Sequence, residues 1–174
     1  KGSDLAGALL RMAHRCSQPI VVHLDHGGSP EIVRAALAAG TTSVMFDGST
    51  LPFEKNVELT RYAADYAHTL GASCEGEIGH VSMGDENAIT TVEDAVAFHK
   101  ATGVDALAVS IGTVHGFYKA KPKIEAERCA EIAEALPGVP LVLHGGTGTP
   151  PEDLQKVIKN GISKINIATE FMDT

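Results

Sequence analysis

The feature that most constrains this chain is its punctuation. Short runs rich in Val and Ile, at 20–24, 43–46, 73–78, 106–111, 141–143 and 164–167, alternate with longer stretches of helical period. A glycine stands shortly before each run after the first: Gly40, Gly71, Gly103, Gly138 and Gly161. Glycine just past a helix accepts the left-handed conformation that ends it, so each of these marks a helix feeding a strand. Strand and helix alternating at this spacing predict a parallel sheet with crossover helices. Helix starts are expected at Ser29-Pro30, at Thr91 with Asp94 three residues on, and at Thr149-Pro150. In the stretch 53–70, Phe53, Val57, Tyr62, Tyr66 and Leu70 fall on one face, which is expected to pack on the sheet.

An open doubly wound sheet and a closed barrel both fit that alternation, and the polar residues separate them. Nearly every run ends in a reactive group: Asp25-His26, Asp47-Gly48, Glu75 and Glu77, 112–115, His144-Gly145 and 166–169. An open sheet gathers its ligand at one switch point, whereas a barrel brings all its strand ends to one mouth, so the expectation is an α/β fold of the (β/α)8 TIM-barrel type. Such a barrel needs eight strands and six are visible. The chain is therefore expected to be a single catalytic domain, 1–174, covering about strands 3 to 8. Its first two βα units and its C-terminal helices would be missing, and 1–16 would be the helix before the third strand.

Composition narrows the function. The 22 acidic and 14 basic residues leave a formal charge of -8 with the basic residues scattered, which argues against a nucleic-acid footprint and for a small-molecule substrate. Cys16, Cys74 and Cys129 are odd in number and form no Cys-x-x-Cys pair, so a reducing cytoplasm is expected rather than a disulfide framework. No apolar run approaches the roughly 18–20 residues that span a bilayer, so no membrane partner is expected.

His26, His115 and His144 stand at the ends of three different strands. Neutral imidazole is a good zinc donor, and three protein ligands with an open fourth position make a catalytic site. A lone histidine at a strand end is more often a hydrogen-bonded structural residue, but three, each beside Gly or Asp, shift the balance toward a ligand set. His14, His68 and His99 are expected to be solvated helix residues. His23 alternates along a strand, and His80 falls in a loop. The run Gly145-Gly146-Thr147-Gly148-Thr149 and the run 166–169 offer backbone N–H groups that could cradle a phosphate, against the plainer reading that the glycines only make tight turns.

Six motifs in series, Leu24-Asp25-His26-Gly27, Asp47-Gly48-Ser49, Glu75-Gly76-Glu77-Ile78-Gly79, Ile111-Gly112-Thr113-Val114-His115-Gly116, Leu143-His144-Gly145-Gly146-Thr147-Gly148 and Lys164-Ile165-Asn166-Ile167-Ala168-Thr169-Glu170, together resemble the class II fructose-bisphosphate and tagatose-bisphosphate aldolases. The resemblance implies a glycolytic lyase that reversibly cleaves fructose 1,6-bisphosphate to dihydroxyacetone phosphate and glyceraldehyde 3-phosphate. Tagatose 1,6-bisphosphate or another phosphorylated ketose is the alternative. It implies Zn²⁺ on His26, His115 and His144, and Asp25 as the acid/base for the aldehyde-derived hydroxyl, with orientation of a ligand as the other role for Asp25. Gly116, Gly145, Gly146, Thr147, Asn166, Ile167, Ala168 and Thr169 match positions that bind dihydroxyacetone phosphate. A monovalent cation, Na⁺ or K⁺, sits near that phosphate in the family, and the assembly is a homo-oligomer, a dimer or tetramer.

The match breaks after Gly79. Where the family carries a Gly-Gly pair followed by Glu-Asp on a loop, this chain reads His80-Val81-Ser82-Met83-Gly84-Asp85-Glu86-Asn87. Glu86 is the candidate proton-abstracting base, with Asp85 next to it, against two merely solvated carboxylates. Glu75 and Glu77 offer an alternate metal position or structural pairing. The departure motivates a different expectation, a non-catalytic barrel that binds metal and phosphate.

Overall fold

The computed structural model describes residues 2–79, 89–114, 116 and 122–173. The chain forms two compact units, Lys1–Gly76 with Ala101–Asp105, and Glu77–Lys100 with Ala106–Thr174.

The first unit holds α1 (Gly2–Ala13), β1 (His23–Gly27), α2 (Pro30–Ala38), β2 (Ser43–Phe46), α3 (Phe53–Thr69) and most of β3 (Ser73–Ile78). β1 pairs with β2 and β2 with β3, all parallel and in chain order. β2 is the buried strand of the unit, with Val44, Met45 and Phe46 at 1% exposure or less. A short continuous apolar run is what a parallel strand covered on both faces requires. Ser29 caps α2 as expected, its side chain accepting from the Ile32 N–H.

The second unit holds most of α4 (Val92–Thr102), then β4 (Ala106–Val109), α5 (Ala126–Ala135), β5 (Leu141–Leu143), α6 (Pro151–Lys159), β6 (Ile162–Ile165) and α7 (Thr169–Met172). β4 pairs with β5 and β5 with β6, again parallel and in chain order. Leu107, Ile111, Leu141 and Leu143 are fully buried, and Cys129 and Ile132 of α5 and Val157 of α6 are buried with them. Within neither unit does the order reverse, as it must at the switch point of a doubly wound sheet.

Several expectations shift. β1 begins at His23 rather than at residue 20, and Ile20 and Val21 are 52% and 65% exposed. Their apolar character marks a strand, but a ladder also needs a partner, and β2 opposes only His23 onward. β4 ends at Val109 and β6 starts at Ile162, two residues early, because the β5 register places Leu141 opposite Ile162. The face of α3 is also different from the one expected. Asn56, Thr60, Ala63, Ala64 and Ala67 are buried, whereas Phe53, Tyr62 and Leu70 are exposed. Small side chains let the helix lie close on the strands, and the tyrosines move to its flank. There the Tyr62 and Tyr66 rings stack 6.5 Å apart and the Tyr62 hydroxyl accepts from Arg34.

Thr91 caps α4 by accepting from the Asp94 N–H, but Thr149 does not cap α6. That helix starts one residue later, after Pro150, and the Thr149 hydroxyl turns back to donate to the Gly145 carbonyl. The five helix-ending glycines all take positive φ, as their positions predict.

Candidate active site

In the first unit the site is built where β1 meets β2. The pairing slips between Leu24 and Gly27, so Asp25 and His26 occupy an irregularity in the ladder. Bulges of this kind re-aim side chains and recur beside active sites. His26 has a φ of 50°, a left-handed backbone costing about 1–2 kcal/mol for a residue with a Cβ. Its surroundings hold it there. The His26 N–H reaches Met45 Sδ at 3.4 Å, and its Nδ1 lies 2.7 Å from Asp47 Oδ2. An ionised carboxylate accepts only, so Nδ1 carries the proton and Nε2 the lone pair.

Asp47 is fixed in turn. Its N–H donates to the Gly27 carbonyl, and its Oδ1 accepts from both the N–H and the hydroxyl of Ser49. Burial works against its charge, but the hydrogen bonds from His26 and Ser49 outweigh it and hold the carboxyl well below the usual carboxylate range. Asp25 is exposed, with Oδ1 4.0 Å from His26 Nε2. Deeper in the unit, His23 Nδ1 lies 2.7 Å from the Ser43 hydroxyl and its Nε2 is 3.8 Å from buried Glu75.

In the second unit His144 follows β5 and is fully buried. Its Nδ1 faces Glu77 Oε2 at 3.7 Å, and the Asn166 side-chain amide lies 3.2 Å from its Nε2. Glu77 is itself only 1% exposed. A buried carboxylate is costly unless positive charge is at hand, and a divalent cation held by the imidazole would supply it. His26 is prepared for a metal in a second way, since a carboxylate on one ring nitrogen is the usual means by which a protein aims the opposite nitrogen at an ion. Taken unit by unit, the donor chemistry around each histidine therefore fits a divalent ion.

The glycine-rich turn after His144 is stitched to the end of β6. The Asn166 N–H donates to the Leu143 carbonyl, and the Gly146 N–H donates to the Asn166 carbonyl. Gly146 thus directs its amide to the chain itself rather than outward. Gly145 takes a φ of 69° with the Val114 carbonyl so close that a Cβ would stand 2.4 Å from it. Thr147 is buried, Gly116 is half-buried, and Ile167 and Ala168 are exposed.

The structure places Asp25 and His26 together in the first unit, and His144, Gly145, Gly146 and Asn166 together in the second. His115, His80, Asp85 and Glu86 lie outside the described residues. His68 is exposed in α3, as expected, and its Nε2 also pairs with Asp105 Oδ2 at 2.8 Å, the oxygen that accepts the Cys74 N–H. Sequence reasoning did not foresee Asp47 as the carboxylate that orients His26. The Asp-Gly-Ser turn was the signal, since Asp in such a turn commonly binds the backbone two residues on.

Among the described residues no helix is long and apolar enough to cross a membrane. Known proteins resemble this chain in sequence and in fold. The family model described as fructose-bisphosphate aldolase class-II matches residues 1–174. A fructose-bisphosphate aldolase of Geobacillus stearothermophilus is 44% identical over 158 residues, and one of Staphylococcus epidermidis is 47% identical over 161; each alignment covers 87% of this chain and 55% of the relative. The crystal structure of the YdjI aldolase from Escherichia coli K12 superimposes with a TM-score of 0.90 at 38% identity, covering 98% of this chain and 62% of that one. The Campylobacter jejuni fructose-bisphosphate aldolase, at 20% identity and a TM-score of 0.78 over 98% of this chain and 58% of that one, shares the fold. The chain spans about half the length of the curated relatives it matches.

Proposed function

The chain belongs to the class II fructose-bisphosphate aldolase family, with six parallel strands of its (β/α)8 barrel, and from that premise we propose that it carries the metal- and phosphate-binding part of an aldehyde-lyase cleaving fructose 1,6-bisphosphate. The observation that carries the reading is the imidazole of His26, set at a strained β1 end with Asp47 fixing its tautomer.

His26 and His144, together with His115, would hold a divalent ion, zinc by the chemistry of a three-imidazole set. Such an ion would supply Lewis-acid stabilisation of the negative charge that develops at the substrate ketone. The protein does the rest. Asp47 and Ser49 keep His26 oriented, and Asn166 and Glu77 do the same for His144. Asp25, exposed beside His26, hands a proton to the aldehyde-derived oxygen as the carbon–carbon bond forms and takes it back in cleavage. Glu86 removes the proton next to the ketone. Gly116, Gly145, Gly146, Thr147 and the run from Asn166 through Ile167 and Ala168 to Thr169 would bind the phosphate of the dihydroxyacetone half, and a monovalent cation would offset its charge there. The chain acts in the cytoplasm as part of a homo-oligomer.

Assay of the protein with fructose and tagatose 1,6-bisphosphates, before and after chelation, tests this reading. Cleavage of the fructose ester that stops with chelator and returns with zinc is expected. Chelator-resistant cleavage would refute the metal's part, and faster turnover of the tagatose ester would reassign the substrate.

A further inference from the structure

Gly48 poses a question that the chemistry above leaves unanswered. It does not take a positive φ, so its backbone does not demand glycine. What demands it is a neighbour: a Cβ there would stand 2.3 Å from Asn56 Oδ1 and 2.9 Å from Asn56 Cγ. The Asn56 amide is therefore packed directly on the turn that joins Asp47 to Ser49.

Asn56 is itself an unusual choice. It lies in the first turn of α3, 3% exposed, on the face that packs inward. Asparagine is a mediocre helix former, and burying a polar side chain is unfavourable unless it is hydrogen-bonded. Here Thr60, fully buried one turn on, donates its hydroxyl to Asn56 Oδ1 at 2.9 Å and so fixes the amide. An apolar pair at these two positions would fill the space without a polar atom. The pair instead clamps an amide against the turn, and the turn holds the carboxylate that orients His26.

We infer that Asn56 is a positioning residue for the metal site, acting through the Gly48 turn on Asp47 and through Asp47 on the His26 ring. The inference rests on the metal reading proposed above and extends it to a buried helix residue that touches neither ion nor substrate. The path is continuous: Thr60 to Asn56, Asn56 to Gly48, Ser49 to Asp47 Oδ1, and Asp47 Oδ2 to His26 Nδ1. Loosening its inner end lets the Asp47 carboxylate rotate, and the imidazole loses its fixed direction.

The test is a Co²⁺ titration of the metal-depleted protein, followed by visible absorption below every variant's melting temperature. It uses the native protein, Asn56→Ala, Asp47→Ala, the double variant and His26→Ala. Loss of a partner that orients a metal-binding histidine typically weakens affinity about 10- to 100-fold. Asn56→Ala is expected near the lower end of that range, and the double variant is expected to bind no more weakly than Asp47→Ala alone, because both changes cut one path. Asn56→Ala weakening Co²⁺ by the same factor with and without Asp47, or not at all, would overturn the inference. If Asn56→Ala does not fold, Asn56→Ser runs the same cycle. The arms separate the two claims. Native-like Co²⁺ binding by His26→Ala would sink the metal reading itself, whereas its loss there combined with additive Asn56 and Asp47 effects would sink only the role of Asn56.

Discussion

His26 donates from Nδ1 to Asp47 Oδ2 across 2.7 Å while its own backbone sits at a φ of 50°, so a strained main chain and a charge-assisted hydrogen bond are joined in one residue. A bulged β1 end alone would leave the ring free to turn. The carboxylate removes that freedom and decides which nitrogen bears the proton.

Removing the carboxylate should therefore weaken the metal without unfolding the chain. Asp47→Ala is expected to lower divalent-metal affinity about 10- to 100-fold, measured by competition with a chromophoric chelator. Asp25→Ala should keep the metal and lose turnover by about 10²- to 10⁴-fold, the usual worth of a general acid–base. Metal loss in Asp25→Ala would move that residue from proton transfer into coordination.

The turn after His144 should tolerate no side chain at Gly145. Its φ of 69° and the Val114 carbonyl, 2.4 Å from a Cβ, together predict a loss of roughly 2–5 kcal/mol for Gly145→Ala. Gly28→Ala is the control, since a Cβ there meets nothing within 4 Å. Urea melts of the two variants check the contrast, and equal midpoints would show that the packing at Gly145 has been misjudged.

The three thiols should separate by reactivity. Cys16 is exposed, while burial, aided by the charge of Asp105, pushes the Cys74 thiol up to about 12, and burial pushes Cys129 up to about 11. At pH 8 one thiol per chain is expected to alkylate quickly in the folded protein and three in denaturant. The sign of the linkage follows. Both buried thiols stay protonated in the fold at pH values where the unfolded chain, near 9.0, has begun to lose its protons. Their contribution is complete below about pH 9 and fades as pH climbs toward 11–12, so a stability profile should fall across that window.

Much of this arrangement could be read from the residues. Glycine punctuation located the ends of α2 to α6 because left-handed backbone is a local demand, legible in one residue. Asp25 and His26 stand at the end of β1 and His144 directly follows β5, as the short apolar runs before them imply. What escaped was set by contacts remote in sequence. β1 starts at His23 because β2 gives Ile20 and Val21 no partner, and α3 buries Asn56, Thr60 and three alanines because close approach to the strands matters more than side-chain size. Thr149 reads as a helix cap, yet it turns to Gly145, where the tight turn presents a carbonyl. Asp47 stood in view as a strand-end carboxylate, but its service to a histidine 21 residues away exists only once β1 and β2 pair.

Metal content decides the central claim most directly. The purified protein, loaded with zinc and dialysed, should hold one ion per chain by elemental analysis, and His26→Ala and His144→Ala should each drop well below that while keeping their circular dichroism. A folded His26→Ala or His144→Ala variant that still holds one tightly bound zinc would contradict the account.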